Sequence, residues 1–147
     1  MSTSPLPEER LYLAITHNAS LMRKLAENSL LPHRLTLAEY SCLRIIEHHP
    51  HITAQEIGER LGTSAPSMAQ LISRLHKKKL LIRKSHRDDA RRLHLLLTPL
   101  GKALLRKART SLMHALRQLR LSKILLGSTV KNLTSLQSSL SSHIFHG

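Results

Sequence analysis

The chain has 147 residues and carries 23 Lys and Arg against 9 Asp and Glu, a formal net charge of +14. An acidic small-molecule substrate would not need this excess, whereas nucleic acid or an anionic membrane surface would suit it. The single cysteine excludes an internal disulfide framework and a multi-cysteine zinc site. Two Tyr and one Phe are too few to stack single-stranded bases. Because neither a membrane span nor a signal peptide is evident, we expect a cytoplasmic protein.

The positive charge lies beyond the first third of the chain. Residues 1–49 carry five basic and five acidic side chains, residues 50–92 carry ten basic and four acidic, and residues 93–147 carry eight basic and no acidic ones. A polyanion would relieve the self-repulsion of such segments. Nucleic acid is favoured over a membrane because the basic residues do not follow one amphipathic helix.

Apolar residues at a spacing of three to four predict two helices in the first third. The first helix is predicted over 8–29 and the second over 37–48, with Thr36 as its cap and Pro50 beyond its end. The apolar face of the first helix is formed by Leu11, Ile15, Met22 and Leu25.

Two shorter helices follow. Residues 53–56 (Thr-Ala-Gln-Glu) fit a capping box that opens the third helix, and Gly62 suits a left-handed stop at its end. Thr63 or Ser64 caps the fourth helix, and Pro66 falls in its first turn, where a missing amide is harmless. The side chains predicted to be buried in the second, third and fourth helices are Leu43, Ile46, Ile57, Leu61, Met68, Leu71, Ile72 and Leu75.

After the fourth helix the apolar period changes to that of strands. Two short strands are predicted over 80–84 and 92–97, joined by a polar hairpin tip at 85–91. A long helix then begins at the Thr-Pro pair 98–99 and ends near residue 121, and a last helix covers about 125–142. The apolar stripe of the last helix is formed by Val130, Leu133, Leu136 and Leu140.

The third and fourth helices and their short turn match the helix-turn-helix arrangement. The non-apolar side of the fourth helix carries Pro66, Ser67, Gln70, Ser73, Arg74 and Lys77. Small hydrogen-bonding groups near its start suit base edges in a major groove, and cations near its end suit phosphates. An ordinary solvated helix face is the alternative. The basic hairpin that follows favours DNA, because it makes a winged helix-turn-helix whose tip can reach a minor groove.

Three segments carry a family resemblance: Leu-Thr-Leu-Ala-Glu-Tyr at 35–40, the run 57–75, and Asp-Ala-Arg at 89–91 followed by Leu-Thr-Pro-Leu-Gly at 97–101. They resemble the second-helix entry, the reading head, and the wing with its exit into the fifth helix of the MarR (multiple antibiotic resistance regulator) transcription factors. The sequence departs from the family at Lys79, where Gly is usual. A left-handed lysine costs about 1 kcal/mol, so the turn is expected to differ slightly there.

The resemblance implies a mainly α fold with a small β-hairpin wing and a homodimer packed through its first, fifth and sixth helices. It divides the chain into an N-terminal dimerisation helix (1–34), a DNA-binding lobe (35–98) and C-terminal dimerisation helices (99–147). The dimer would repress genes from a pseudo-palindromic site in double-stranded DNA, and a small anionic or phenolic effector would modulate its affinity without a cofactor. Broad apolar stripes on terminal helices also favour a partner copy, although a monomer with its tail folded back is the alternative.

The resemblance also assigns roles to individual residues. The residues placed in the major groove are Ser64, Pro66, Ser67, Gln70 and Arg74. Arg91 is placed in the minor groove, and Asp89 would orient this arginine rather than touch DNA. The remaining predicted DNA contacts are Ser73, Lys77, Lys84, Arg87 and Arg92.

Two weaker signals concern redox chemistry and metals. Some relatives sense oxidants through a cysteine, so Cys42 is a candidate sensor, but a small core residue is the favoured interpretation. His48, His49 and His51 are close in sequence, yet Pro50 splits them and 11 His make accidental clusters common, so no metal site is predicted.

Other function classes remain as alternatives. No phosphate loop, metalloprotease motif or nucleophile elbow is present, so an enzyme is not expected. A sequence-tolerant architectural protein that coats DNA is the main alternative to a regulator. A third hypothesis is an interaction module at a membrane or partner surface.

Overall fold

The computed structural model describes residues 6–85 and 93–146. Within them the elements are α1 (Pro7–Leu30), α2 (Leu37–His48), α3 (Ala54–Leu61), α4 (Ala65–Lys77), β1 (Leu81–Ser85), β2 (Leu93–Leu97), α5 (Pro99–Gln118) and α6 (Lys123–His146). A short 3-10 helix, Leu31–His33, follows α1 and was not predicted. The predicted order of helices and hairpin, and the mainly α fold class, are confirmed.

Capping boxes fix the starts of α2 and α3. The Thr36 hydroxyl accepts the Glu39 N–H at 3.1 Å, and the Glu39 carboxylate accepts the Thr36 N–H at 3.0 Å. Thr53 and Glu56 make the same reciprocal pair at 3.3 and 2.8 Å. Each box satisfies two amides that a helix start leaves without partners. The box at Thr53 was predicted in full, whereas at Thr36 only the cap was predicted.

The core beneath α3 and α4 is apolar and follows the predicted pattern. The buried side chains of α2, α3, α4 and the strands include Leu43, Ile46, Ile57, Met68, Leu71, Ile72, Leu75, Leu81 and Leu95. Of the residues predicted to be buried in α2, α3 and α4, all are buried except Leu61, which is half-buried. Each fully buried Leu, Ile or Met contributes about 1.5–3 kcal/mol, so this packing fixes the orientation of α4 on the lobe.

The hairpin is anchored to the segment that precedes α3. β1 and β2 pair antiparallel, with Leu81 opposite Leu97 and Ser85 opposite Leu93. The Leu95 N–H donates to the Ile52 carbonyl at 3.0 Å, and one further bridge joins the same segment to β2. The base of the wing is therefore attached to the helix-turn-helix, and the two are held as one body.

The turn from α4 into β1 is tied to the start of α5. Lys79 adopts φ 57°, so the left-handed conformation occurs here with lysine in place of glycine. The Thr98 hydroxyl donates to the Lys79 carbonyl at 2.7 Å and accepts the Gly101 N–H at 2.9 Å. A Cβ at Gly101 would lie 2.0 Å from the Leu80 carbonyl oxygen, so only glycine fits. The Thr-Pro-Leu-Gly motif thus closes the base of the wing.

The described residues divide into two compact units, one up to residue 113 and the other from residue 114. In the first unit Leu11 and Met22, on the predicted apolar face of α1, are 53% and 47% exposed, and only the last turns of α1 are buried, at Ala26 and Leu30. In the second unit the α6 stripe is likewise exposed or half-buried along its length. None of the described helices combines the length and apolarity needed to cross a membrane.

Candidate nucleic-acid interface

A tight turn sets α4 against α3. Gly62 ends α3 at φ 59°, and the Thr63 N–H donates to the Gly58 carbonyl at 2.9 Å. Ser64 then caps α4 by accepting the Ser67 N–H. A Cβ at Gly58 would lie 3.2 Å from the Thr63 carbonyl oxygen, so the turn passes close to α3 at this glycine. The left-handed stop at Gly62 is confirmed, and of the two predicted caps the structure uses Ser64.

α4 has one buried face and one open face. Its four apolar residues, Met68, Leu71, Ile72 and Leu75, are all buried. The predicted DNA-facing residues that are exposed are Ser64, Pro66, Ser67, Gln70, Arg74 and Lys77. Ser73 is half-buried and lies at the edge of this face. We call these six exposed residues the polar face of α4.

The polar face carries hydrogen-bonding side chains at its start and cationic side chains at its end. At its start the Ser64 hydroxyl donates to the Ser67 hydroxyl at 3.0 Å, and Gln70 follows one turn later with its amide exposed. These groups both donate and accept, as the base edges of a major groove require. At its end Arg74 and Lys77 supply the cations that phosphates require.

Sequence reasoning missed an acidic partner at the end of α4. Glu39 on α2 has a side chain only 2% exposed, and the Lys78 ammonium lies 2.8 Å from its carboxylate. The Arg74 Nε lies 4.0 Å from the same carboxylate. The capping-box pattern of Thr36 and Glu39 was visible in the sequence. The contact between Glu39 and Lys78 was not, because the two residues are 39 positions apart and no local pattern connects them. The basic end of α4 is therefore partly neutralised from beneath.

The described part of the wing carries the expected charge. Lys84 is exposed on β1, as is its neighbour Arg83. The predicted minor-groove residue Arg91, its partner Asp89, and the predicted contacts Arg87 and Arg92 lie outside the described residues.

Burial makes Cys42 unsuited to thiolate chemistry in the folded chain. Its side chain is fully buried, and burial, together with the nearby Glu39 charge, raises the pKa of the thiol to about 12. A reactive cysteine needs the opposite environment, exposed and electropositive. This favours the interpretation of Cys42 as a core residue over that of a sensor. Across residues 6–85 and 93–146, no three His, Cys, Asp or Glu side chains are grouped so that they could hold a metal ion.

Part of the chain is similar in sequence to known DNA-binding regulators. A sequence model of the MarR family matches residues 34–92. Over 87 residues the chain is 29% identical to the homoprotocatechuate degradative operon repressor of Escherichia coli, and the match spans 59% of this chain and 59% of that repressor, less than two thirds of its length.

Solved structures show the same fold. Staphylococcus aureus MarR in complex with salicylate and kanamycin has a TM-score of 0.80 at 20% identity, with 90% of this chain and 91% of that one covered. Staphylococcus aureus MepR in its DNA complex has a TM-score of 0.73 at 24% identity, with 92% and 99% covered. In its helix order, its polar face on α4 and its match over residues 34–92, the chain is similar to the MarR family of winged helix-turn-helix transcriptional regulators.

Proposed function

We propose that the chain is a repressor that binds a pseudo-palindromic operator as a homodimer and loses affinity when an effector binds. The polar face of α4 carries the proposal, because its hydrogen-bonding start, basic end and buried apolar back are what a helix in a major groove requires. The DNA complex of MepR and the repressor among the sequence relatives support it. The functional division into 1–34, 35–98 and 99–147 is part of this proposal.

Exposed apolar residues support the homodimer. In the first unit, α1 exposes Leu11, Leu13 and Met22, and in the second, α6 exposes Val130 and Leu133. On α1, Leu11 and Met22 lie on the same side of the helix, and exposed apolar residues that share one side of a helix favour an interaction site over scattered surface residues. A two-fold partner would repeat the polar face of α4 about 34 Å away, one turn of duplex, and so match two half-sites.

A cavity within the first unit supports a small anionic effector. It has a volume of about 460 Å³, and the end of α2, β2 and α5 line it. Its apolar lining includes Ile46, Leu96 and Leu105. Its charged lining is formed by the cations Lys102, Arg106 and Arg109 and by one carboxylate, Glu47. An apolar body with one negative group would satisfy both kinds of lining. Such a ligand would act by binding more tightly to the conformation of the dimer in which the two lobes are at one distance than to the conformation in which they are at another.

Selection of bound sequences from a random duplex pool tests the proposal. A repressor should return a palindrome with half-sites one helical turn apart, and it should prefer that duplex about 10³-fold over random DNA at physiological salt. A coating protein would return no consensus, and a membrane-surface module would bind anionic vesicles without binding DNA. Either result would exclude the repressor.

A further inference from the structure

Among the residues that the structure describes, Glu39 is the one charged residue that is buried. It lies on the first turn of α2, and its carboxylate accepts the Thr36 N–H at 3.0 Å. A buried carboxylate is costly unless its oxygens are bound, so its partners must be held in place. Two of these partners, Arg74 and Lys78, come from the end of α4.

The Lys78 ammonium has three acceptors within the molecule, although its side chain is 40% exposed. It donates to both Glu39 oxygens at 2.8 and 2.9 Å and to the Arg34 carbonyl at 3.0 Å. An ammonium has three protons, and three acceptors surround this one. A phosphate could bind Lys78 only by displacing these contacts.

Arg74 is held differently. Its Nε lies 4.0 Å from Glu39, a distance of an ion pair rather than a hydrogen bond, and its side chain is 54% exposed. The guanidinium has five N–H donors in a planar fork, so its outer donors remain open to a phosphate. Glu39 therefore attracts the inner side of Arg74 and leaves its outer side facing solvent.

We infer that Glu39 is a specificity-determining residue of the DNA-binding surface, which withholds Lys78 from the phosphate backbone and positions Arg74 on the polar face of α4. The inference rests on the proposed function. Its physical consequence concerns the balance between two kinds of binding. Each cation released onto phosphates strengthens sequence-independent binding and its salt dependence, whereas a positioned arginine fixes the register in which bases are read.

The test compares Glu39→Gln with Glu47→Gln. Both variants remove one negative charge from α2, but Glu47 is exposed and pairs with Arg44 rather than with α4. Affinity is measured for the duplex recovered by selection and for a scrambled duplex of the same composition, each across a salt series. Thermal melts identify the temperature range in which both variants are folded.

Glu39→Gln should bind the selected duplex about 10-fold more weakly and the scrambled duplex as well as or better than the parent. Because Lys78 becomes available to phosphate, the slope of log K against log salt on scrambled DNA should steepen by about 0.9 for each protomer, or about 1.8 for the proposed dimer. Glu47→Gln should change neither the ratio of the two affinities nor the slope. Equal behaviour of the two variants, or equal weakening of Glu39→Gln on both duplexes, would overturn the inference.

A second pair keeps the test independent of Glu39. Lys77→Met should reduce the salt slope on scrambled DNA by about 0.9 for each protomer, or about 1.8 for the proposed dimer, whereas Lys78→Met should leave it unchanged although it removes a cation of the same type. Equal reductions would show that Lys78 contacts phosphate and would overturn the inference.

If the parent itself showed no preference for the selected duplex, the proposed function would fail and the inference with it. A parent that discriminates while Glu39→Gln matches Glu47→Gln would contradict the inference alone.

Discussion

Lys79 occupies a conformation that L-residues avoid. Its φ of 57° places it in the left-handed region, where a side chain costs roughly 1–2 kcal/mol relative to glycine. We therefore expect Lys79→Gly to raise the free energy of unfolding by about 1 kcal/mol, as measured by denaturant titration at fixed protein concentration. Lys107→Gly, in the exposed interior of α5, is the matched control and should lower it by about the same amount. Destabilisation by both substitutions would contradict the strain at residue 79.

Gly101 is required by close approach rather than by its own dihedral angles. An added Cβ would lie 2.0 Å from the Leu80 carbonyl oxygen, a backbone atom that cannot move without displacing β1. Gly101→Ala should therefore destabilise the protein by about 3 kcal/mol, seen as a lower Tm. Gly127→Ala is the control, because nothing lies within 4 Å of its Cβ and alanine favours the helix, so its Tm should be equal or higher. If the two variants melted alike, the close approach at Leu80 would be wrong.

The elements that sequence predicts well are those with local signals. The Thr53 capping box, the Ser64 cap and the left-handed Gly62 all act within four residues, and the structure has each one. Burial on α4 was equally predictable, because a helix that packs on a core buries one face at a period of 3.6 residues. These features together place the polar face of α4.

Features that depend on distant segments were not predictable. Glu39 and Lys78 are 39 residues apart, and no periodicity indicates that their side chains meet. The spacing of its apolar residues predicts an apolar face on α1, but such a pattern does not tell whether the cover comes from the same chain or from another one. Leu11, on that face, is exposed in the single chain.

Base recognition by α4 is best tested at its middle. Gln70 is exposed on the polar face, and a glutamine amide can both donate and accept at one base. Gln70→Ala should relax the preference at particular base pairs of each half-site by about 1–3 kcal/mol of discrimination, measured by repeating the duplex selection. Gln55→Ala on α3 is the control, since its amide donates to Glu59 at 3.0 Å instead of facing the groove. An unchanged consensus for Gln70→Ala would exclude this docking of α4.

At the scale of the whole molecule, charge and apolar surface have separate roles. The net charge of +14 supplies long-range attraction to any duplex and cannot select one. Selection over two half-sites requires two copies of α4 at a fixed spacing, and only an interface between copies can set that spacing. The exposed apolar residues of α1 and α6 are the surfaces available for such an interface.

Leu133→Arg tests this role of α6. Leu133 is 48% exposed on the apolar stripe, and an arginine there would bring a charge into the proposed dimer interface, where a buried unpaired cation is strongly unfavourable. We expect the variant to sediment as a monomer and to bind the selected duplex at least about 100-fold more weakly, while its affinity for scrambled DNA falls much less because the charge of each lobe is unchanged. Ser135→Arg adds the same charge on the opposite side of α6 and should remain dimeric with parental affinity. A dimeric Leu133→Arg with full preference for the selected duplex would show that the α6 stripe does not hold the two copies together.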